Sequence, residues 1–181
     1  MHISGKKKAA PPHLVLNNKT IDCVSKAKLL GVTIQDNLRW DNNIENSCKK
    51  ACKLLFPILQ LRRSSCNIGV LINLYCAMVR PHLVYAYPAL CNMTAQNMQS
   101  LIKVERRFYR LIGAKPSENI ISFCHRIAEK LKDDVLGNEE HPLRQLLMPR
   151  PSRTLRSDTH MTIRGGRSAL YTKSFIRYFI K

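Results

Sequence analysis

Near the start of the chain, apolar and polar side chains alternate, which predicts short β-strands. The segment HLVLNNKTIDCV alternates on both sides of Asn17-Asn18, and asparagine tolerates a positive φ, so we expect a hairpin turn at this pair. A further short strand is expected in AKLLGVTIQD, where Leu30, Val32 and Ile34 occupy alternate positions. The pattern therefore predicts a sheet that is too small to be stable by itself.

After this sheet, the pattern takes the period of an amphipathic helix. Asp41 or Asn42 can cap the start of this first helix, and Pro57 is expected to kink or split it near Leu55. The apolar face consists of Ile44, Cys48, Ala51, Cys52, Leu55 and Leu59. The opposite face carries Lys49, Lys50 and Lys53, and the helix is expected to end at Arg62 and Arg63.

A second helix is predicted over Asn67–Val79. Its inward side chains are predicted to be Ile68, Leu71, Ile72, Tyr75, Met78 and Val79. Because the residue before a proline avoids the helical region, the helix should end at Arg80, before Pro81. The following HLVYAYPAL is expected to be an extended or turning connector, which lets the first and third helices flank the second.

A third helix is predicted from a cap at Thr94 to an end at Gly113. Its apolar stripe consists of Met98, Leu101, Val104, Phe108, Leu111 and Ile112. Four cations lie on the far side, and Glu105 is outside their cluster; the four are Lys103, Arg106, Arg107 and Arg110. Such a face is often only solvated, but one-signed charge repels itself, so we prefer a polyanion as its partner.

The remaining pattern predicts one more helix in NIISFCHRIAEKLKDDVL, followed by a segment rich in Arg, Pro, Ser and Thr. The inward residues of this helix are predicted to be Ile121, Cys124, Ile127, Ala128 and Leu131. The expected fold class is α+β and mainly α, with short N-terminal β-hairpin strands, a small three- to four-helix bundle and an extended basic C-terminal tail. The expected segments are a disordered leader at 1–11, a small β element at 12–40, a helical bundle at 41–113 and a C-terminal extension at 114–181.

The charge of the chain favours a nucleic-acid partner. There are 30 Lys and Arg residues against 12 Asp and Glu residues, which gives a net charge of +18. An acidic membrane surface ranks second as a partner, and a soluble basic protein without an anionic ligand is the remaining alternative. The candidate phosphate-binding residues are Lys49, Lys50, Lys53, Arg62, Arg63, Lys103, Arg106, Arg107 and Arg110.

The sequence offers no recognisable catalytic chemistry. The adjacent acids Asp133 and Asp134 have a polar, helical setting, which is typical of a solvated helix end and not of a two-metal site. Seven irregularly spaced cysteines do not form a disulfide framework, and buried reduced thiols favour an intracellular location, nuclear or cytoplasmic. We predict no catalytic residue, no metal site and no cofactor in this chain, and no membrane span, since the run Ile68–Val79 is too short.

Three ordered segments resemble the region after the palm in reverse transcriptases of non-LTR, LINE-like retrotransposons of the jockey/CR1 type. They are LLGVTIQDNLRWDNNIENSCKKACKLLFPILQLRR, LINLYCAMVRPHLVYAYPAL and SLIKVERRFYRLIGA, and their order and spacing match over residues 29–113. The most specific pieces are Gly31-Val32, Trp40, the run from Val79 to His82, and Arg106-Arg107. Position 84 is Val where the family often has Glu, and Leu90 stands where tryptophan is common.

The resemblance implies a palm–thumb connection at 12–40 and a thumb-like bundle at 41–113 that binds a template–primer of RNA and DNA. The polymerase Asp-Asp motif of that family is absent, so the resemblance implies no polymerase activity for this chain alone, with Mg²⁺ expected only in the palm. The palm and fingers are then the expected intramolecular partner. The alternative is a non-catalytic basic adaptor, a structural remnant of a mobile element; a peripheral membrane protein is a third hypothesis.

Overall fold

The computed structural model describes residues 14–148 and 162–163. It confirms the expected class, a mainly helical chain with short antiparallel strand pairs at the N-terminus. The described residues divide into two compact units, one of residues 14–83 and 93–115 and the other of residues 84–92, 116–148 and 162–163. The predicted leader at 1–11 and most of the predicted basic tail lie outside the described residues.

Two β-hairpins open the first unit. In the first, β1 (Val15–Leu16) pairs with β2 (Lys19–Thr20) across the predicted turn, where Asn17 and Asn18 both have positive φ. In the second, β3 (Lys26–Leu29) pairs antiparallel with β4 (Val32–Gln35).

Leu30 corrects the sequence prediction for the second hairpin. It was expected to lie in a strand, but it forms the turn with Gly31, at φ values of 47° and 84°, and its side chain is 84% exposed. The physical reason is Gly31, which adopts positive φ without a steric cost and so sets the position of a two-residue turn.

The first helix, α1 (Asp41–Arg63), continues through Pro57 without a break, which corrects the predicted split. A proline removes one backbone hydrogen bond, here to the carbonyl of Lys53. Both residues lie on the exposed side of the helix, where that carbonyl can be solvated. The N-cap is Trp40, and no side chain forms a capping hydrogen bond there, so the predicted cap by Asp41 or Asn42 is also wrong.

The helix that was predicted to end at Arg80 continues past Pro81. It consists of α2 (Ile68–Leu74), a π-helical turn (Tyr75–Val79) and α3 (Arg80–Val84). The N–H of Arg80 donates to the carbonyl of Tyr75, five residues back. This wider turn removes the crowding between a proline ring and the carbonyl four residues before it, so Pro81 is tolerated.

The predicted connector is therefore helical at its start and not extended. The change of direction comes at Ala86, whose φ of 57° and ψ of 23° are left-handed, and a 3₁₀ turn (Tyr87–Leu90) follows. In the helix before it, Leu71, Tyr75 and Val79 are buried as predicted. Two other residues predicted to face inward, Ile68 and Met78, are exposed.

Helix α1 is the central helix of the first unit, since it contacts α2, the π-helical turn and α4 (Ala95–Ile112). At the beginning of both helices, Asn97 Nδ2 donates to Asp41 Oδ1 at 2.9 Å. At their ends, the Arg62 guanidinium lies beside Gly113. The two helices therefore run parallel, and the predicted order with the second helix in the middle is wrong.

The apolar core of the first unit follows the predicted stripes with small shifts. In α1, Ile58 is fully buried and Leu59 only half-buried. In α4, the stripe is buried at Leu101, Val104, Phe108 and Ile112. The rings of Tyr75 and Phe108 stack at 3.9 Å between centroids. These contacts fix α4 against the helix that contains the π-helical turn.

In the second unit, α5 (Ile120–Gly137) contacts the 3₁₀ turn at Tyr87–Leu90. The side chain of Asn119 accepts from the N–H of Ser122 and so caps α5. The inward residue at the start of the helix is Ile120 and not the predicted Ile121, which is exposed. A further 3₁₀ turn (Pro142–Leu146) precedes β5 (Leu147–Met148), which pairs with β6 (Thr162–Ile163).

A buried ion pair joins α3 to α4. Arg80 Nη2 lies 3.8 Å from Glu105 Oε1, and the two side chains are 5% and 4% exposed. The Arg80 guanidinium also lies over the Tyr75 ring, 5.4 Å from its centroid. Burial, together with a hydrogen bond to Glu105, raises the pKa of the Tyr109 hydroxyl. The Glu105 carboxylate therefore interacts with Arg80 and Tyr109 within the core and adds no negative charge to the surface.

We expect Arg80→Met to lower the free energy of unfolding by about 3 kcal/mol or more, because it leaves the Glu105 carboxylate buried without its cation. The double variant Arg80→Met/Glu105→Leu should recover part of that loss. Urea denaturation measures both. As a control, Glu118→Gln breaks the exposed pair with Arg126 and should cost under about 1 kcal/mol. Equal losses in Arg80→Met and Glu118→Gln would show that the buried pair has no special structural weight.

Candidate nucleic-acid interface

The cationic face of α4 consists of Lys103, Arg106, Arg107 and Arg110, and all four side chains are exposed as predicted. They lie opposite the buried stripe of the helix. A cap at each end fixes the helix: Thr94 Oγ1 accepts from the N–H of Asn97 at 3.2 Å, and Gly113 ends it at a φ of 76°. The four residues span about 10 Å along the helix axis, so the face is a short rigid row of charge.

No carboxylate neutralises this face within residues 14–148. None of its four cations has an acidic partner within 4.0 Å among the described residues. The only acidic residue in the sequence of α4 is Glu105, and it points into the core towards Arg80. The described part of the chain therefore leaves the positive charge of this face unpaired, and like-charge repulsion disfavours that arrangement unless an anion lies beside it.

Arg62 and Arg63 lie at the end of α1, and both are exposed. Because α1 and α4 run parallel, this end lies beside the last turn of α4, which contains Arg110. The Arg62 guanidinium lies beside Gly113, where it also interacts favourably with the negative end of the α4 dipole. These two arginines thus extend the positive charge at the C-terminal end of the α4 face.

Lys49, Lys50 and Lys53 take part in a different feature, which we call the lysine groove. It has a volume of about 310 Å³ and lies between α1 and the β3–β4 hairpin. Lys28 of β3 also lines it, together with Asn46 and Ser47. Lys49 forms an ion pair with Glu45 at 2.7 Å, and this hydrogen bond lowers the pKa of Glu45. Lys28 was not among the residues predicted for the site.

The structure therefore does not bring all nine predicted residues together. The lysines of α1 and the cations of α4 each lie opposite the buried face of their own helix. Since these buried faces pack into one core, the two cationic surfaces point to different sides of the bundle.

The described residues contain neither a metal-binding cluster nor a helix that could span a membrane. Within the described ranges, His, Cys, Asp and Glu side chains form no group of three or more that could hold a metal ion. The helices in that part of the chain are each too short or too polar to cross a bilayer. Asp133 and Asp134 are exposed on α5, as the sequence predicted.

Comparison with protein-family models, curated proteins and solved structures found no match.

None of the seven cysteines, which all lie within the described residues, forms a disulfide bond, and they are less buried than predicted. Only Cys124 is fully buried, and Cys23 is exposed, because it lies in the thin N-terminal hairpin region that has no core. Burial raises the pKa of the Cys48 thiol to about 11, and the pKa of the Cys91 thiol likewise. A raised pKa leaves little thiolate at neutral pH, and the thiolate is the reactive form.

We expect iodoacetamide at pH 7.5 to alkylate Cys23 well before Cys48 and Cys91, as read by peptide mass spectrometry. Because the pKa of Cys48 is raised, its reactivity should increase only as the pH rises towards about 11. The same labelling in denaturant is the control, since unfolding should abolish the difference. Equal rates in the folded protein would contradict the assigned burial.

Proposed function

We propose that this chain is the thumb-side C-terminal part of a LINE-like reverse transcriptase, which holds a template–primer of RNA and DNA and does not polymerise by itself. The observation that carries the proposal is the exposed cationic face of α4, which has no acidic partner among the described residues. The ordered resemblance over residues 29–113 supports the choice of family, and it includes Arg106 and Arg107 of that face.

The binding mode follows from the geometry of the face. Lysine and arginine on a straight helix can contact successive phosphates along a duplex backbone, and phosphate contacts position a protein without reading bases. Arg62 and Arg63 add contacts at one end. If six phosphates are neutralised, the affinity should fall by about 10³-fold or more between low and moderate salt. Binding is thus independent of the base sequence of the nucleic acid, as a polymerase requires.

The N-terminal hairpins support a further part of the proposal, an intramolecular partner such as a palm and fingers. In the β3–β4 hairpin, opposed residues share a face, so Ala27, Leu29, Val32 and Ile34 form an apolar face. None of them is fully buried, and Leu29 is 60% exposed. The β1–β2 hairpin also exposes Leu14, Val15 and Leu16. Apolar surface of this extent is typical of a contact with another domain.

We assign the chain an intracellular location, nuclear or cytoplasmic, where its nucleic-acid partners are found.

Charge reversal on the α4 face tests the mechanism. Arg106→Glu/Arg107→Glu/Arg110→Glu should weaken binding to RNA–DNA hybrids of any sequence and give a shallower salt dependence, because phosphate contacts are lost. Fluorescence anisotropy over a salt series measures both. The melting temperature should change little, since the three side chains are exposed. The matched control is the triple Arg→Lys variant, which keeps the charge and should keep most of the affinity. Unfolding of the triple Glu variant would show that the face belongs to the core.

A primer-extension assay tests the absence of polymerase activity. With Mg²⁺, a primed RNA template and all four nucleotides, the purified chain should bind the substrate and incorporate nothing. The control is an active reverse transcriptase under the same conditions. Incorporation by this chain would refute the proposal.

The adaptor alternative is distinguished by the nucleotide sequence. An open frame that continues upstream into an Asp-Asp polymerase hairpin favours the thumb, and a separate promoter and start codon favour the adaptor.

A further inference from the structure

The lysine groove carries an inference that does not rest on the proposed function. Its volume of about 310 Å³ lies at the lower end of the range for pockets that bind small ligands. A duplex is much wider than such a groove. The feature is therefore suited to a compact ligand, or to one end of a larger one.

Both walls of the groove are held in place. The N–H of Thr33 in β4 donates to Asn43 Oδ1 of α1 at 3.0 Å, and Asn43 is only 6% exposed. The N–H of Asn42 donates to Gln35 Oε1 at 3.1 Å. These two hydrogen bonds fix the β3–β4 hairpin against the beginning of α1. The groove is therefore preformed and does not depend on the binding of a ligand.

The charge in the groove indicates the chemistry of the ligand. Lys28, Lys49, Lys50 and Lys53 line it, and no acidic side chain does. Only Lys49 has a carboxylate partner among the described residues, the neighbouring Glu45. Lys49 and Lys53 are four residues apart and Lys50 and Lys53 three apart, spacings at which like charges destabilise a helix. An anion of high charge density would relieve this repulsion.

The polar groups in the groove favour phosphate over a nucleobase. No aromatic side chain lines it, so bases have no surface on which to stack. Lysine ammonium groups act as compact point charges for phosphates, and Asn46 and Ser47 supply hydrogen-bonding groups. Several cations around one small volume match several phosphates in a row better than a single phosphate.

We infer that the lysine groove is a triphosphate-binding site, separate from the duplex-binding face of α4. The shared chemistry is a run of adjoining phosphates, which can come from a free nucleoside triphosphate or from the 5′-triphosphate end of an RNA. The lysines hold the phosphates by charge, and the rest of the ligand lies outside the groove.

Isothermal titration of the full chain with sodium tripolyphosphate tests the site. Lys50→Glu/Lys53→Glu should weaken binding about tenfold or more. The matched control Lys103→Glu/Arg107→Glu makes the same change of charge on the α4 face and should leave tripolyphosphate binding within about threefold of the original. Because Lys50 and Lys53 are exposed, the variant should fold, and Lys50→Gln/Lys53→Gln repeats the test without charge reversal. No binding, or equal losses in the two Glu variants, would overturn the inference.

Three further ligands distinguish the source of the phosphates. ATP binding that is lost in Lys50→Glu/Lys53→Glu identifies a free nucleotide as a ligand. A 5′-triphosphate RNA that binds more tightly than the same RNA with a 5′-monophosphate, again with the gain lost in that variant, identifies the RNA end. The opposing outcome is that the monophosphate RNA competes with tripolyphosphate as well as the triphosphate RNA does. In that case the groove binds ordinary backbone phosphates, and the triphosphate assignment is wrong. Loss of hybrid binding in the α4 control variant, with tripolyphosphate binding intact, separates this test from that of the proposed function.

Discussion

The buried contact between Arg80 and Glu105 is the interaction on which the distribution of charge in the first unit depends. It joins α3 to α4 within the core, and the Tyr75 ring lies against the same guanidinium. Two ions that are taken out of water must be paired, so the contact strongly disfavours any rotation of α4 about its axis. It also removes the one carboxylate of α4 from the surface, which leaves the outer face of that helix with no negative side chain of its own. Core packing and candidate function are thus set by the same pair of residues.

The parts of the fold that could be predicted from sequence are those decided by local rules. Thr94 and Gly113 fix the ends of α4 because a side-chain cap and a left-handed glycine act within one turn of the chain. Pro81 misled the prediction because its tolerance depends on the π-helical turn before it, which no propensity rule indicates. Leu30 was misplaced for a similar reason: alternation continues through a two-residue turn, and only Gly31 marks where the strand ends.

The candidate site shows the same division. The exposure of Lys103, Arg106, Arg107 and Arg110 follows from helical periodicity alone, so the sequence was sufficient. The lysine groove combines Lys28 with residues about twenty positions later, and such a contact depends on how the hairpin packs against α1. A usable signal existed, since Lys26 and Lys28 alternate on one face of β3, but it does not identify the opposite wall. The parallel course of α1 and α4, which brings Arg62 to Gly113, was likewise decided by tertiary packing.

The parallel course of these two helices lowers the net positive charge that the proposed duplex-binding surface presents at one end. Their carboxyl ends lie side by side, and each carries a partial negative charge from its unsatisfied carbonyl groups. Arg62, Arg63 and Arg110 stand at that end and already offset some of this charge. Lys103 and Arg106 lie nearer the middle of α4, so helix-end carbonyl groups do not offset their charge. The net positive charge at the arginine-rich end is therefore smaller than the number of its cations suggests.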